Sequence, residues 1–239
     1  MQESSTMHSF SLGTQKKFAA ALALTSALTL ALGACKSDST APLVGNAIAA
    51  DVASNNQSAA AGSALSAPVS VHVTDQNGNP IANVTVTWTV VSGAGSTSAA
   101  TSATDATGTA SISWTLDTLA RTDSLKASIF AGASTYITAT GTAGAPAAET
   151  KMSGDAQTDA SGTQSAPMVI KVTDRYGNPV SGVVVAWVQS GGSLGAATTT
   201  TGADGTAQNT LMLSAGSGPY TVTASVGVSV AATFNLIAQ

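Results

Sequence analysis

The chain has 239 residues, of which only 8% are charged, with 8 Lys+Arg against 12 Asp+Glu, 2 His and 1 Cys. A net charge of −4 and a pI near 4.8 leave no basic stripe to meet nucleic-acid phosphates. A single Cys excludes an internal disulfide and cannot by itself make a thiolate metal site, while 44% hydrophobic content excludes charge-driven disorder.

The chain opens with a segment that reads as an address. Lys16 and Lys17 precede an apolar run from Phe18 to Leu32, which ends in small residues. This is the order of a secretory signal. Met7 is an alternative start, because Met7 to Lys17 carries no acid whereas Glu3 lies upstream. The run is too short and too diluted with Ala, Thr and Ser for a spanning helix, which needs about 20 apolar residues.

Leu32, Gly33, Ala34 and Cys35 resemble the lipobox of bacterial lipoproteins. That resemblance implies cleavage before Cys35, acylation of its thiol and export. Two or three acyl chains hold firmly to a bilayer where one does not. Lys36 is not the Asp that retains lipoproteins at an inner membrane, so an outer-membrane or cell-surface location is favoured. Residues 1–34 are thus expected to be a lipoprotein signal peptide and 35–42 a polar tether.

Internal repetition organises the rest. Val73-Thr74-Asp75-Gln76-Asn77-Gly78-Asn79-Pro80-Ile81 returns 99 residues later as Val172-Thr173-Asp174-Arg175-Tyr176-Gly177-Asn178-Pro179-Val180. Trp88 keeps that offset to Trp187, and Gly108-Thr109-Ala110 matches Gly205-Thr206-Ala207 at an offset of 97. Ordered matches with one two-residue deletion mean duplication. The two units are placed at 43–143 and 145–239, with Gly141-Thr142-Ala143-Gly144-Ala145-Pro146 as the joint.

Within each unit, apolar residues alternate with Ser and Thr at the two-residue period of strands. Val69, Val71 and Val73 share one face; Val84, Val86, Trp88 and Val90 another; Ala110, Ile112, Trp114 and Leu116 a third. The second unit repeats the pattern, although Asn209 falls where the first has Ile112. Asp75, Gly78, Asn79 and Pro80, with Asp174, Gly177, Asn178 and Pro179, punctuate as turns. Short alternating strands without helical period predict an all-β chain of two β-sandwiches of about seven strands, with Trp88, Trp114 and Trp187 filling the cores.

The run V-T-D-x-x-G-N-P-[IV], then V-x-V-x-W, then T-x-A-x-G-T-A in Thr104 to Ala110, resembles the bacterial Ig-like domains (group 1) of the invasin and intimin type. The resemblance implies two tandem Ig-like β-sandwich domains on a surface protein, where such modules serve as rod segments of adhesins.

Chemistry-bearing residues are few. His72 is the only histidine left after cleavage, on the polar face of a strand beside Ser70 and Thr74, with no acid or oxyanion hole signalled around it. No catalytic residue is assigned and no enzyme is expected. Asp75, Asn77, Asn79, Asp174 and Asn178 place oxygens at alternating loop positions. Calcium wants six to eight oxygens with several carboxylates, and each loop offers one, so an Asx turn fits better. No metal or cofactor is expected beyond lipid on Cys35. Lys171, on a polar face, is discounted as an isopeptide donor. Arg175, Tyr176 and Tyr220 form the candidate contact surface, since loops carry function on such scaffolds.

The sequence reading is a lipid-anchored, extracytoplasmic protein of structural or adhesive role, with a membrane contact through its lipid and an unknown protein or glycan partner. A periplasm-facing module binding a glycan or envelope partner is the alternative. An eight-residue strand spans roughly 27 Å, so two units with their loops would reach on the order of 80 Å.

Overall fold

A computed structural model describes residues 45–227 and 230–239. The signal segment, the lipobox Leu32 to Cys35 and the tether lie outside the described residues. From residue 45 onward, the described chain belongs to one compact unit. It consists of two β-sandwich modules.

Module 1 contains β1 (Ala47–Ala50), β2 (Gln57–Ala60), β3 (Val69–Thr74), β4 (Thr85–Ser92), β5 (Ser96–Thr97), β6 (Thr101–Ala103), β7 (Thr109–Ile112), β8 (Trp114–Thr115), β9 (Thr122–Ile129) and β10 (Ser134–Thr142). Module 2 repeats the series as β11 (Ala148–Ser153), β12 (Gln157–Asp159), β13 (Met168–Thr173), β14 (Val184–Gln189), β15 (Ser193–Leu194), β16 (Thr198–Thr200), β17 (Thr206–Asn209), β18 (Leu211–Met212), β19 (Gly218–Val226) and β20 (Val230–Ala238). In each, a three-stranded sheet (β1-β3-β7; β11-β13-β17) faces a five-stranded one (β2-β10-β9-β4-β6; β12-β20-β19-β14-β16), with a two-stranded ribbon (β5-β8; β15-β18) beside them.

The opening strand of each module is shared between sheets. β1 pairs antiparallel with β3, then the chain crosses over and β2 pairs parallel with β10. A side-chain oxygen holds the crossing: Asn55 Oδ1 accepts the Thr138 N–H at 2.8 Å, and Asp155 Oδ1 accepts the Asn235 N–H at 2.8 Å. The next residues, Asn56 and Ala156, take left-handed φ of 59° and 56°. Both bear the Cβ clash of this region, and Asn tolerates it better than Ala because its short polar side chain can hydrogen-bond locally.

Alternation turns one face of each strand into core. Val69, Val71, Val73, Val86, Trp88, Leu125 and Ile137 are buried in module 1; Met168, Ile170, Val172, Val185, Trp187, Val222 and Phe234 in module 2. The indole N–H groups of Trp88 and Trp187 reach Ser102 Oγ at 3.0 Å and Thr199 Oγ1 at 2.8 Å. Module 2 has Leu211 where module 1 has Trp114, and recovers volume through Phe234 and Leu236 in place of Ile137 and Ala139. Conserving total volume keeps both cores close-packed.

Two details depart from the sequence reading. The run Ala110 to Leu116, expected as one strand, breaks at Ser113: β7 joins the three-stranded sheet and β8 pairs with β5. Such splits, with the shared opening strand, produce more than seven strands per module. Asn209, the apparent blemish, keeps register, opposite Met168 as Ile112 is opposite Val69. Its buried amide accepts from Ala196 N–H at 3.2 Å and donates to Ala196 C=O at 2.7 Å. A polar group so paired can be buried at little cost.

Candidate functional site at the joint between the modules

Both copies of the repeated motif fold as the same Asx turn. Asp75 Oδ1 accepts the N–H groups of Asn77 and Asn79, each at 2.8 Å. Asp174 Oδ1 accepts those of Tyr176 and Asn178 at 2.8 and 2.9 Å. The carboxylates expected to nucleate turns are therefore spent inside them. Hydrogen bonds led by the Asn79 N–H hold Asp75 below the usual carboxylate value. Gly108 and Gly205 abut these turns at φ 75°, where a Cβ would meet the carbonyl oxygen of Val73 or Val172 at 2.7 or 2.6 Å.

The second turn does something the first does not. Asn178 is buried and reaches into module 1: its Nδ2 donates to the Thr118 carbonyl at 2.8 Å, and its Oδ1 accepts the Ala120 N–H at 2.9 Å. Its second amide hydrogen goes to Asp174 Oδ2 at 2.9 Å. The side-chain amide thus pairs with the facing backbone as a strand residue would, leaving none of its polar atoms unmatched. Asn79 is exposed, and its amide reaches only Asp75 Oδ2 at 3.2 Å.

Three further contacts close the joint. Asp174 Oδ2 also accepts the Gly144 N–H at 2.9 Å, tying the linker to the turn. Burial opposes ionisation of Asp174, yet the Asn178 side chain and the Gly144, Asn178 and Tyr176 N–H groups outweigh it and hold the carboxyl below its usual value. Tyr176 lies on Gly62, where a Cβ would come within 2.6 Å of the phenol oxygen. The Arg175 guanidinium stacks 4.5 Å from the Tyr176 ring centroid and donates to its hydroxyl at 2.6 Å.

Loop 117–121, which receives Asn178, is itself braced. Buried Asp117 takes a salt bridge from Arg121, and buried Asp123 accepts the Asp117 N–H at 2.8 Å with Arg121 Nε 3.6 Å away. Burial raises the cost of charging Asp117, and the Arg121 guanidinium together with the Ala94 and Thr118 N–H groups outweighs it, so its pKa is lowered. Beside the joint lies a cavity of about 380 Å³, whose walls include Ala60, Ala61, Ser63, Pro146, Arg175 and Tyr176. This is the lower size range of small-ligand sites.

The structure brings Arg175 and Tyr176 together at the joint and sets Tyr220 apart from them, partly buried against Gly191 and the module 2 core. The joint's key residue, Asn178, and its receiving loop carried no separate signal in sequence beyond the motif itself. His72 is exposed, with Nδ1 3.1 Å from Thr109 Oγ1 and Nε2 3.7 Å from Asp51. Among the described residues no group of three or more His, Cys, Asp or Glu is placed to hold a metal ion.

Tandem sandwiches whose opening strand is shared between sheets define an Ig-like protein of two modules. The profile of the bacterial Ig-like domain (group 1) family matches residues 49–144 and 149–237, well over half of the chain, and the chain belongs to that family. Comparison with curated proteins returns no match. Among solved structures, the chain is similar to the D0–D1 domain of intimin at 22% identity and TM-score 0.33, covering 81% of this chain and 98% of that one. Invasin, a bacterial integrin-binding protein, shares 25% identity at TM-score 0.39 over 81% of this chain and 40% of that one. The Escherichia coli adhesin FdeC shares 20% identity at TM-score 0.52 over 79% of this chain and 65% of that one. The chain thus spans two fifths of the invasin structure and just under two thirds of the FdeC structure.

Proposed function

We propose that the chain is a lipid-anchored envelope protein, held through Cys35, whose two Ig-like modules form a braced surface segment for adhesion or another protein interaction, without catalysis or cofactor. The observation that carries this reading is the Asn178 clamp. A side chain buried between two backbone groups of the neighbouring module resists bending at the joint, as a surface spacer requires. Family membership and the lipobox support the reading, and the thin catalytic inventory agrees with it. Acyl chains on Cys35 would fix one end, leaving module 2 for a partner.

Two measurements test it. Radiolabelled palmitate should enter the chain, and Cys35→Ala should abolish the label. Protease shaving of intact cells should remove both modules; protection would place them inside the envelope. The second reading, a module binding a glycan or envelope partner from the periplasmic side, is favoured by the joint cavity. Its Ser63 and Tyr176 hydroxyls and the Arg175 guanidinium could meet a small polar ligand. A glycan array probed with the soluble chain would support or remove it.

A further inference from the structure

Glu149 differs in kind from its repeat partner. Ile48 on β1 sits opposite Val73, and Glu149 on β11 sits opposite Val172, at the same rung of the ladder. Ile48 packs against the module 1 core. Glu149 holds the corresponding position in module 2. Both its carboxyl oxygens are closed off from solvent and have no hydrogen-bond partner among the described residues.

Among the described residues, neither the lysine on β11 nor the one on β13 is free to neutralise it. On its own strand, the Lys151 ammonium is committed to the Asp155 carboxylate and the Thr233 carbonyl, above the Phe234 ring. On β13, Met168, Ile170 and Val172 are buried, and Lys171 alternates onto the other face, where Asp204 feels its charge. Asp174, just beyond β13, is engaged by Gly144, Tyr176 and Asn178. Neither β20 nor β17 carries a titratable residue. A buried carboxyl with neither donor nor counter-charge resolves the conflict by taking a proton.

We propose that Glu149 is a proton-operated latch on the first strand of module 2: protonated, it lies with β11 against the core, and ionised, it turns to water and loosens β11. Burial pushes the Glu149 carboxyl up to about 7; the Ala232 N–H favours the anion but does not reach hydrogen-bond geometry. The latch therefore works across neutral pH. It adjoins the joint, because the Ala147 N–H donates to the Thr173 carbonyl and Gly144 to Asp174 immediately before β11. Loosening β11 would slacken the linker end of the clamp, while module 1, with Ile48, would not respond. The inference goes beyond the adhesion reading and does not depend on it.

Glu3 and Glu149 are the only glutamates in the chain, so carboxyl-¹³C glutamate labelling of the full chain yields two resonances. One of them, that of Glu149, should titrate near 7. Amide exchange, corrected for intrinsic rates, should show β11 opening about tenfold more at pH 8.5 than at pH 5.5, with β1 unchanged. Glu149→Gln and Glu149→Ile should each erase that difference. Both resonances titrating below pH 5, or a Glu149→Gln chain that keeps the pH dependence of β11, would overturn the proposal.

Discussion

Modules 1 and 2 share a fold, a turn motif and a core pattern, and differ where their surroundings differ. The Asp-x-x-Gly-Asn-Pro turn is locally the same in both, yet Asn79 lies in solvent and Asn178 is buried as the joint. Module 1 braces its receiving loop with Asp117, Arg121 and Asp123; at the matching places module 2 has exposed Ser214 and half-buried Tyr220. On the outer face of the five-stranded sheet, Thr85, Thr87 and Thr89 become Val184, Ala186 and Val188, with Val184 and Val188 59% and 64% exposed. After duplication, the residues that make a sandwich stayed alike, and those that decide what each module touches diverged.

The sharpest break of the comparison is in the cores. Trp88→Ala and Trp187→Ala should each cost about 3–5 kcal/mol, since each indole is almost fully buried and leaves a large void. In urea titrations followed module by module, Trp187→Ala should also lower the module 1 midpoint, because unfolding module 2 removes the clamp. An unmoved module 1 transition would show that the joint transmits nothing.

At the joint itself, Asn178→Ala should cost about 1–3 kcal/mol by stripping the Thr118 carbonyl and Ala120 N–H of their partner, whereas Asn79→Ala should cost under ~1 kcal/mol. Small-angle scattering should show a wider spread of inter-module geometries for the first variant alone. Gly62→Ala and Gly162→Ala sharpen the contrast. Both residues have φ near 75°, so both variants bear a left-handed strain of about 1–2 kcal/mol. Gly62→Ala also meets Tyr176, while Gly162 faces open space. The excess loss for Gly62→Ala, read as a difference in melting temperature, measures the Tyr176 contact.

The smallest effects are electrostatic, and their signs separate the modules. Asp75 and Asp174 both have lowered pKa values, so each contributes stability that is present above the unfolded value near 3.8 and is lost as pH falls below it. Both modules should weaken together in acid. Glu149 has a raised value, so its contribution is present below pH 4.5 and is lost as pH rises through about 7. Only module 2 should weaken as pH rises from about 4.5 to about 7. Equal behaviour of the two melting transitions across that range would break the comparison.

Much of the fold was legible because its signals are local. Alternating Val, Ile and Trp require one buried face, and Asp-x-x-Gly-Asn-Pro requires a turn, whatever the rest of the chain does. The split at Ser113 and the satisfied Asn209 were not legible, since both depend on which strand lies alongside. The joint was half legible. Asp174 and Asn178 were marked as turn residues and Arg175 and Tyr176 as contact residues, but nothing local says that Asn178 will face Thr118 and Ala120.

Duplication, the all-β pattern and the turns followed from order and spacing along the chain, because periodicity and turn chemistry act over a few residues. Tertiary structure alone decided that one of two like asparagines would be a clamp, and that a glutamate would inherit an isoleucine's place. Burial and partner supply are properties of the assembled surface, and a residue's own sequence neighbours do not carry them.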